Sequence, residues 1–192
     1  EIILADKSKH SGSNIYREAF RGYGNATVLD PLLYADHVAE SIENEATIDM
    51  VRPMGRFKFI STDVEIFLTR LMTMMKEQGR LVEFNLNSDS KAGYKQLLQA
   101  INIDGYKVVF RYNAFMPCSF NMFTDKPADS WTGISFTSQM EIEPSYKEMV
   151  MGHDFVFVNG SETTLSISLE VYNDKNEKVS ATNPIYVPIV RN

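Results

Sequence analysis

Alternation of apolar and polar residues after position 105 constrains the fold more than any other feature of this sequence. Tyr106, Val108, Phe110 and Tyr112 occupy every second position, and so do Leu165, Ile167, Leu169 and Val171. A period of two places successive side chains on opposite faces of an extended chain, so both runs predict half-buried strands. Further strands are predicted at 118–122, 134–136, 155–158 and 185–190. Strands spaced about 10 residues apart, with polar turns between them, are typical of a β-sandwich or barrel.

The segment 50–62, "MVRPMGRFKFIST", combines a proline-glycine break with an alternating strand at 56–60. Phe57 and Phe59 would share one face of that strand. Pro53 has no amide hydrogen, which suits the first residue of a strand or an edge, and Gly55 would permit a bend. Arg52-Pro53 is therefore interpreted as structural, with Arg52 as a ligand anchor left as the alternative.

Two helices are predicted between the strand at 56–60 and the strand-rich half that begins after position 105. Thr62 and Glu65 have the spacing of a capping box. Apolar residues then recur at helical spacing, at Val64, Phe67, Leu68, Leu71 and Met75, until Gly79 ends the helix. A second helix is predicted over 90–102, with Tyr94, Leu97, Leu98 and Ile101 on one face, after a short strand at 81–86.

The first 49 residues carry weaker signals. Residues 1–25 are polar and rich in turn formers, which predicts an extended or looping arm. A strand is predicted at 26–29, with a continuation at 32–34, before a solvated acidic connection over 35–49. The whole chain, 1–192, is predicted to be a single β-sandwich domain. Because it begins at Glu1, we expect further residues upstream and the N-terminal part of a longer protein.

Composition excludes several functions. The chain has 25 acidic and 19 basic residues, a net charge of -6, which argues against a phosphate-binding surface and hence against nucleic acid. The single cysteine, Cys118, excludes an internal disulfide and any Cys-x-x-Cys site. No apolar run approaches the roughly 20 residues of a membrane helix.

No catalytic, cofactor or metal site is predicted. His10, His37 and His153 lack metal-ligand spacing and are interpreted as surface or turn residues. No Gly-x-Ser-x-Gly elbow occurs, and Cys118 is interpreted as a small core residue. The sequence "NDKNEK" at 173–178 only faintly resembles a calcium loop and is predicted to be a hairpin turn.

Some side chains could bind a ligand without catalysis. Tyr23, Tyr112 and Trp131 could stack on sugars. Met72, Met74 and Met75 are interpreted as core filling, with an adaptable binding groove as the alternative.

Five stretches, taken in order, resemble one family. They are "SGSNIYREAF", "MVRPMGRFKFISTDVEIF", "YKVVFRYNAFMPCSFNMFTDKPADS", "DFVFVNGSETTLSISLEVYNDKNEKVS" and "NPIYVPIVRN". The chain resembles the fimbrillin-like surface proteins of Bacteroides and relatives from about Ser11 to Asn192. In those proteins an Arg-Pro opens a strand that leads to a Thr-Asp helix start, and a Tyr-x-x-Phe-x-Pro turn follows later.

The resemblance implies a mainly β fold, an antiparallel Greek-key β-sandwich of transthyretin-like or Ig-like type, with one or two inserted helices. It also implies a non-enzymatic fimbrial subunit or anchor that is exported to the cell surface, the outer membrane or a fimbrium. Such proteins are anchored through an upstream lipidated cysteine, absent from this chain. Polymerising members assemble with other fimbrial subunits by strand exchange after an arginine-specific protease removes an N-terminal strand. Arg17 and Arg21 lie in loops suited to such cleavage, although no motif singles out either.

Other functional hypotheses are also compatible with the sequence. Shaft, anchor and tip roles are all compatible with the resemblance, with host or bacterial surface proteins or glycans as partners. A carbohydrate-binding module of a surface glycan-uptake system would need an aromatic platform, for which Trp131 is the candidate. A hydrolase using two carboxylates is the third hypothesis, and no motif supports it.

Overall fold

The structure is a computed structural model that describes residues 2–3, 7–24, 47–79 and 91–191. The strands it contains are β1 Ile2–Ile3, β2 Arg21–Gly22, β3 Met50–Val51, β4 Met54–Ser61, β5 Lys107–Tyr112, β6 Met116–Asn121, β7 Lys126–Trp131, β8 Ser135–Gln139, β9 Glu141–Ile142, β10 Met149–Phe157, β11 Glu162–Tyr172, β12 Lys178–Ala181 and β13 Ile185–Val190. The helices are α1 Val64–Glu77 and α2 Lys91–Ala100, with single 3-10 turns at Lys7–Lys9, Ile15–Arg17 and Ile103–Gly105.

The strands form antiparallel sheets. The largest has the order β12-β11-β5-β8. β13 also pairs with β11, at residues 162–167, whereas β12 pairs with it at residues 170–172. A second has the order β4-β10-β9, and a third has the order β1-β6-β7. The predicted class, a mainly β fold of β-sandwich type with two helices, is confirmed.

The main core lies between the largest sheet and the β4-β10 pair. Its members are buried apolar residues from both sides, including Phe57, Val108, Phe110, Phe136, Val156, Ile167 and Ile189. Phe110 and Phe136 are partners in the β5-β8 ladder, and their rings stack with centroids 4.6 Å apart. The opposite face of β4-β10 is buried as well, because Met54, Phe155 and Phe157 pack against Phe120 of β6.

The helices cover a separate apolar cluster at the start of β10. Val64, Leu68, Leu71 and Met75 of α1 meet Leu97 and Leu98 of α2 and Met149. The predicted apolar faces of both helices are therefore confirmed, and so is the stop at Gly79, whose φ is +68°. None of the helices in the described ranges is both long and apolar enough to cross a membrane.

Several local predictions were wrong. The capping box at Thr62 does not form, since the N-cap of α1 is Asp63 and its side chain makes no capping bond. Gly55 lies inside β4 and makes no bend there; a Cβ atom at Gly55 would lie only 2.5 Å from the carbonyl oxygen of Val190. Glycine is needed because the β13 backbone approaches β4 closely.

Two strands were missed or misread. No strand was predicted over Lys126–Trp131, and this segment forms β7, an edge strand that tolerates Pro127. The strand predicted at 118–122 forms β6, but it is buried on both faces, including at Ser119. The predicted strands at 26–29, 32–34 and 81–86 lie outside the described residues, as does most of the acidic connection over 35–49.

Candidate functional site: a docked arm and an aromatic-lined cavity

A buried carboxylate holds the N-terminal arm, residues 7–24, against the sandwich. Asp154 lies in the middle of β10 and is only 1% exposed. The Tyr112 hydroxyl donates to its Oδ2 at 2.5 Å, and the amide of Phe155 donates to its Oδ1 at 2.8 Å. The arm supplies the other two partners. His10 Nε2 lies 3.0 Å from Oδ2, and the guanidinium of Arg17 forms an ion pair with Oδ1.

The two arm residues make burial of Asp154 and docking of the arm interdependent. A carboxylate removed from water is destabilising unless it is paired and hydrogen-bonded. If the arm left, Asp154 would lose Arg17 and His10 and would keep only two neutral donors. Arg17 also donates to the carbonyl oxygen of Ser11 at 3.2 Å, which closes the arm on itself around the carboxylate.

Ionisation of Tyr112 makes the stability of this cluster fall at alkaline pH. Burial, reinforced by the neighbouring Asp154 carboxylate, raises the pKa of Tyr112 well above its ordinary value of 10.0. Because the folded pKa exceeds the unfolded one, the stabilisation is fully present below pH 10 and is lost as pH rises through the folded pKa. We expect Tyr112 alone to contribute a fall in the free energy of unfolding of up to about 1.4 kcal/mol per pH unit above pH 10.

The matching measurement is urea unfolding between pH 8 and pH 11 for the parent chain, Tyr112→Phe and the exposed control Tyr186→Phe. Tyr112→Phe should be less stable at pH 8 by about 1–3 kcal/mol, because Asp154 loses a buried donor. Its stability should then fall less steeply above pH 10. Parallel pH profiles for Tyr112→Phe and the parent would contradict this account.

The arm makes close backbone contact with the two sheets on either side of the main core. The amide of Ser13 donates to the carbonyl oxygen of His153 at 2.7 Å, and the Ser13 and Ser138 hydroxyl oxygens lie 2.6 Å apart. Gly12 rests on the ring of Phe136, where a Cβ atom would lie 2.3 Å from the ring carbons. Only glycine therefore allows the arm to lie this close to β8.

Arg52 is a second attachment point for the arm. Its Nε lies 2.7 Å from Oε1 of Glu18, and its guanidinium lies over the ring of Phe20 at 5.2 Å. Pro53 precedes β4, and its carbonyl oxygen accepts from the amide of Val158 at 3.0 Å. Both residues have structural contacts, in line with the interpretation from sequence.

Asp125 joins three separate parts of the chain, and we call this cluster the Asp125 junction. The carboxylate pairs with Arg21 of β2 and takes two bonds from Arg191 Nη1, at 2.9 and 2.8 Å. Arg191 in turn donates to the carbonyl oxygen of Val158 at 2.9 Å. The end of the arm, the β6-β7 turn and the end of β13 are therefore fixed relative to each other.

An open cavity of about 700 Å³ lies beside the Asp125 junction. It is lined by Arg21, Gly22, Tyr23, Met122, Phe123 and Asp125. Tyr23 is 82% exposed and Phe123 is 97% exposed. A different groove, of about 490 Å³, lies between α1 and the sheets and is lined by Met74, Met140, Met149 and Met151 among others.

Comparison with known proteins identifies a family. The model of DUF6562, described as a family of unknown function, matches residues 1–192. The chain belongs to the DUF6562 family. No curated protein and no solved structure matches this DUF6562 chain.

The DUF6562 structure overturns two predictions about histidine. His10 was interpreted as a surface or turn residue, but its side chain is buried against Asp154, with its ring 6.0 Å from those of Tyr112 and Phe136. His153 was placed in a turn before a strand, but it lies within β10, where burial and then Arg56 lower its pKa. His37 lies outside the described residues.

Other candidate residues divide between core and surface. Cys118 is buried in β6, as predicted, and residues 173–177 form the turn between β11 and β12, with Lys178 as the first residue of β12. Trp131 packs partly buried against the main core and Tyr112 is buried within it, whereas Tyr23 is open to solvent. Met75 is a core residue, but Met74 is half exposed in the groove. Within the described ranges no group of three or more metal-ligating side chains converges.

Sequence reasoning missed Asp154, Asp125 and Phe123. Asp154 is a charged residue inside an apolar strand, and that signal alone could have marked a buried carboxylate in need of partners. Its partners are 144 and 137 residues away, so no local pattern identifies them. Phe123 is an aromatic residue in a four-residue turn, and that position could have drawn attention to it beside Tyr23, which the sequence did indicate.

Proposed function

We propose that this DUF6562 protein is a non-enzymatic structural or adhesive subunit of the cell surface, a fimbrial subunit or anchor that assembles by β-strand exchange. The proposal includes export, a lipid anchor upstream of this chain, attachment to the outer membrane or a fimbrium, and a transthyretin-like Greek-key order of strands. It originates in the resemblance to fimbrillin-like proteins. The observation that carries it is that the N-terminal segment is held by a two-residue strand pairing of β1 with β6 and, after β1, mostly by polar contacts of the arm.

The edge of β6 is the acceptor in this mechanism. β7 covers one edge of β6, and β1 is the only strand among the described residues that pairs with the other. β1 contributes two residues, Ile2 opposite Phe120 and Ile3 opposite Ser119, although β6 is six residues long. A short strand on a long, buried neighbour is easily replaced by a longer one, because backbone hydrogen bonds provide most of the grip in strand addition.

The arm that follows β1 supports the same mechanism. It is attached through the Asp154 cluster, the Arg52-Glu18 pair and the Asp125 junction, mostly by polar contacts. Its large apolar side chains at Ile15, Tyr16, Phe20 and Tyr23 are exposed. A segment held mostly by polar contacts can leave with the two sheets still packed on each other, although its departure would uncover the ring of Phe136 beneath Gly12.

The arm's docking also bears on the protease step. The side chains of Arg17 and Arg21, the two cleavage candidates, are largely buried in ion pairs with Asp154 and Asp125. An arginine-specific protease must take the arginine side chain into its own pocket. Cleavage at either residue would therefore follow undocking of the arm.

The test uses the full-length precursor. It is treated with an arginine-specific protease and then run on a denaturing gel without boiling and after boiling. Strand exchange predicts a ladder of heat-resistant multimers, because each subunit fills the vacated edge of its neighbour. A single band of unchanged size, with and without protease, would contradict the polymerising role.

A further inference from the structure

We propose that the cavity beside the Asp125 junction binds a pyranose ring of a glycan, with Tyr23 and Phe123 as the stacking residues. Because Arg21 and Tyr23 belong to the arm, the site exists only while the arm is docked, and it differs from the Trp131 platform considered from sequence. Two aromatic side chains that are 82% and 97% exposed line one open cavity. Its volume of about 700 Å³ falls within the range of roughly 300–1,000 Å³ typical of small-ligand sites.

The turn that carries Phe123 is held in one conformation. The side chain of Asn121 accepts from the amides of Phe123 and Thr124 at 3.0 and 3.2 Å. Asp125 follows in the left-handed region with φ +57°, and the Asp125 junction fixes it there. Phe123 is therefore presented to solvent by a rigid turn, and a ligand that stacks on it would need little additional ordering of the protein.

The cavity also has polar groups of both kinds. The Nε of Arg21 is buried and has no hydrogen-bond partner within the part of the chain that the structure describes. The carboxylate of Asp125 is still 43% exposed, so it can accept a further bond. A buried donor without a partner is destabilising, and an acceptor on a ligand would remove that penalty.

These features together favour a sugar over a purely apolar ligand. The C–H groups on one face of a pyranose carry partial positive charge and stack on the negative face of an aromatic ring. Its hydroxyl groups both donate and accept, which matches Asp125 and Arg21. An apolar ligand would leave Arg21 Nε without a partner. A phosphate group would be repelled by the negative charge of the Asp125 carboxylate.

The experiment measures binding of the intact chain to a panel of oligosaccharides built from neutral hexoses, N-acetylhexosamines and uronic acids, followed by calorimetry on those that bind. Tyr23→Ala and Phe123→Ala should each weaken binding by about tenfold or more. The matched controls are Tyr16→Ala and Phe115→Ala, exposed aromatic residues that do not line the cavity, and they should bind as the parent does.

A third variant tests the polar contact. Arg21→Lys keeps a cation beside Asp125 but removes Nε, so it should weaken binding while leaving the melting temperature within a few degrees of the parent. The proposal is overturned if no saccharide of the panel binds, if Tyr23→Ala and Phe123→Ala bind like their controls, or if a proline-rich or aromatic peptide binds the cavity and no sugar does.

Discussion

Replacing Asp154 with alanine is expected to lower the free energy of unfolding by up to about 3–5 kcal/mol, the cost of leaving the guanidinium of Arg17 buried without its counter-ion, and by less where the arm undocks and returns Arg17 to water. Tyr112 loses its acceptor in the same variant. The measurement is urea unfolding at pH 7. Asp104→Ala, which removes an exposed carboxylate, is the matched control and should lie within about 0.5 kcal/mol of the parent.

The same variant should release the arm. With Asp154 absent, Arg17 is expected to be cleaved by an arginine-specific protease at concentrations that leave the parent and Asp104→Ala intact. A loss of stability below about 1 kcal/mol, together with an unchanged cleavage rate, would show that the Asp154 cluster does not hold the arm.

Replacing Phe110 with alanine is expected to destabilise the fold by about 3–5 kcal/mol. Phe110 is fully buried, stacks on Phe136, and packs so closely against Gly152 that a Cβ atom there would lie 2.6 Å from its ring. Such a site cannot collapse around the missing ring without moving β5, β8 and β10.

Phe123→Ala is the control for Phe110, since it removes the same ring from an exposed position. Its free energy of unfolding should stay within about 0.5 kcal/mol of the parent. Equal losses for the two variants would mean that the stacked pair at Phe110 and Phe136 is not central to the core.

The strands that were predicted well are those with one buried face. β5 and β11 each alternate over six or more residues, and their predicted apolar positions, such as Val108 and Leu169, are buried. α1 was predicted from the same kind of regularity. β10 was only half predicted, because a register shift between Val150 and Gly152 interrupts its alternation and its second half is buried on both faces.

The candidate sites depended on contacts between distant residues. The pairing of Asp154 with Arg17 and of Asp125 with Arg191 spans 137 and 66 residues, so no spacing rule reveals either. Tyr23 was identified as a possible stacking residue, but its partner Phe123 was not, because exposure at a turn is set by the fold. The sequence pattern also indicated Trp131, which the fold packs against the core.

The central claim is that vacating the β6 edge permits assembly, and a removable disulfide across the β1-β6 pair tests it most directly. Ile3 and Ser119 are paired across the two strands, so Ile3→Cys with Ser119→Cys can form a bond there, in a Cys118→Ala background that prevents mispairing. The oxidised and reduced forms of this precursor are each treated with an arginine-specific protease and run on a denaturing gel.

Strand exchange predicts heat-resistant ladders from the reduced form and none from the oxidised form, in which β1 stays on its own β6. The parent chain, treated identically, should give ladders under both conditions. Ladders of equal yield from the oxidised and reduced variants, or no ladder from any sample, would contradict the claim that this edge is the site of assembly.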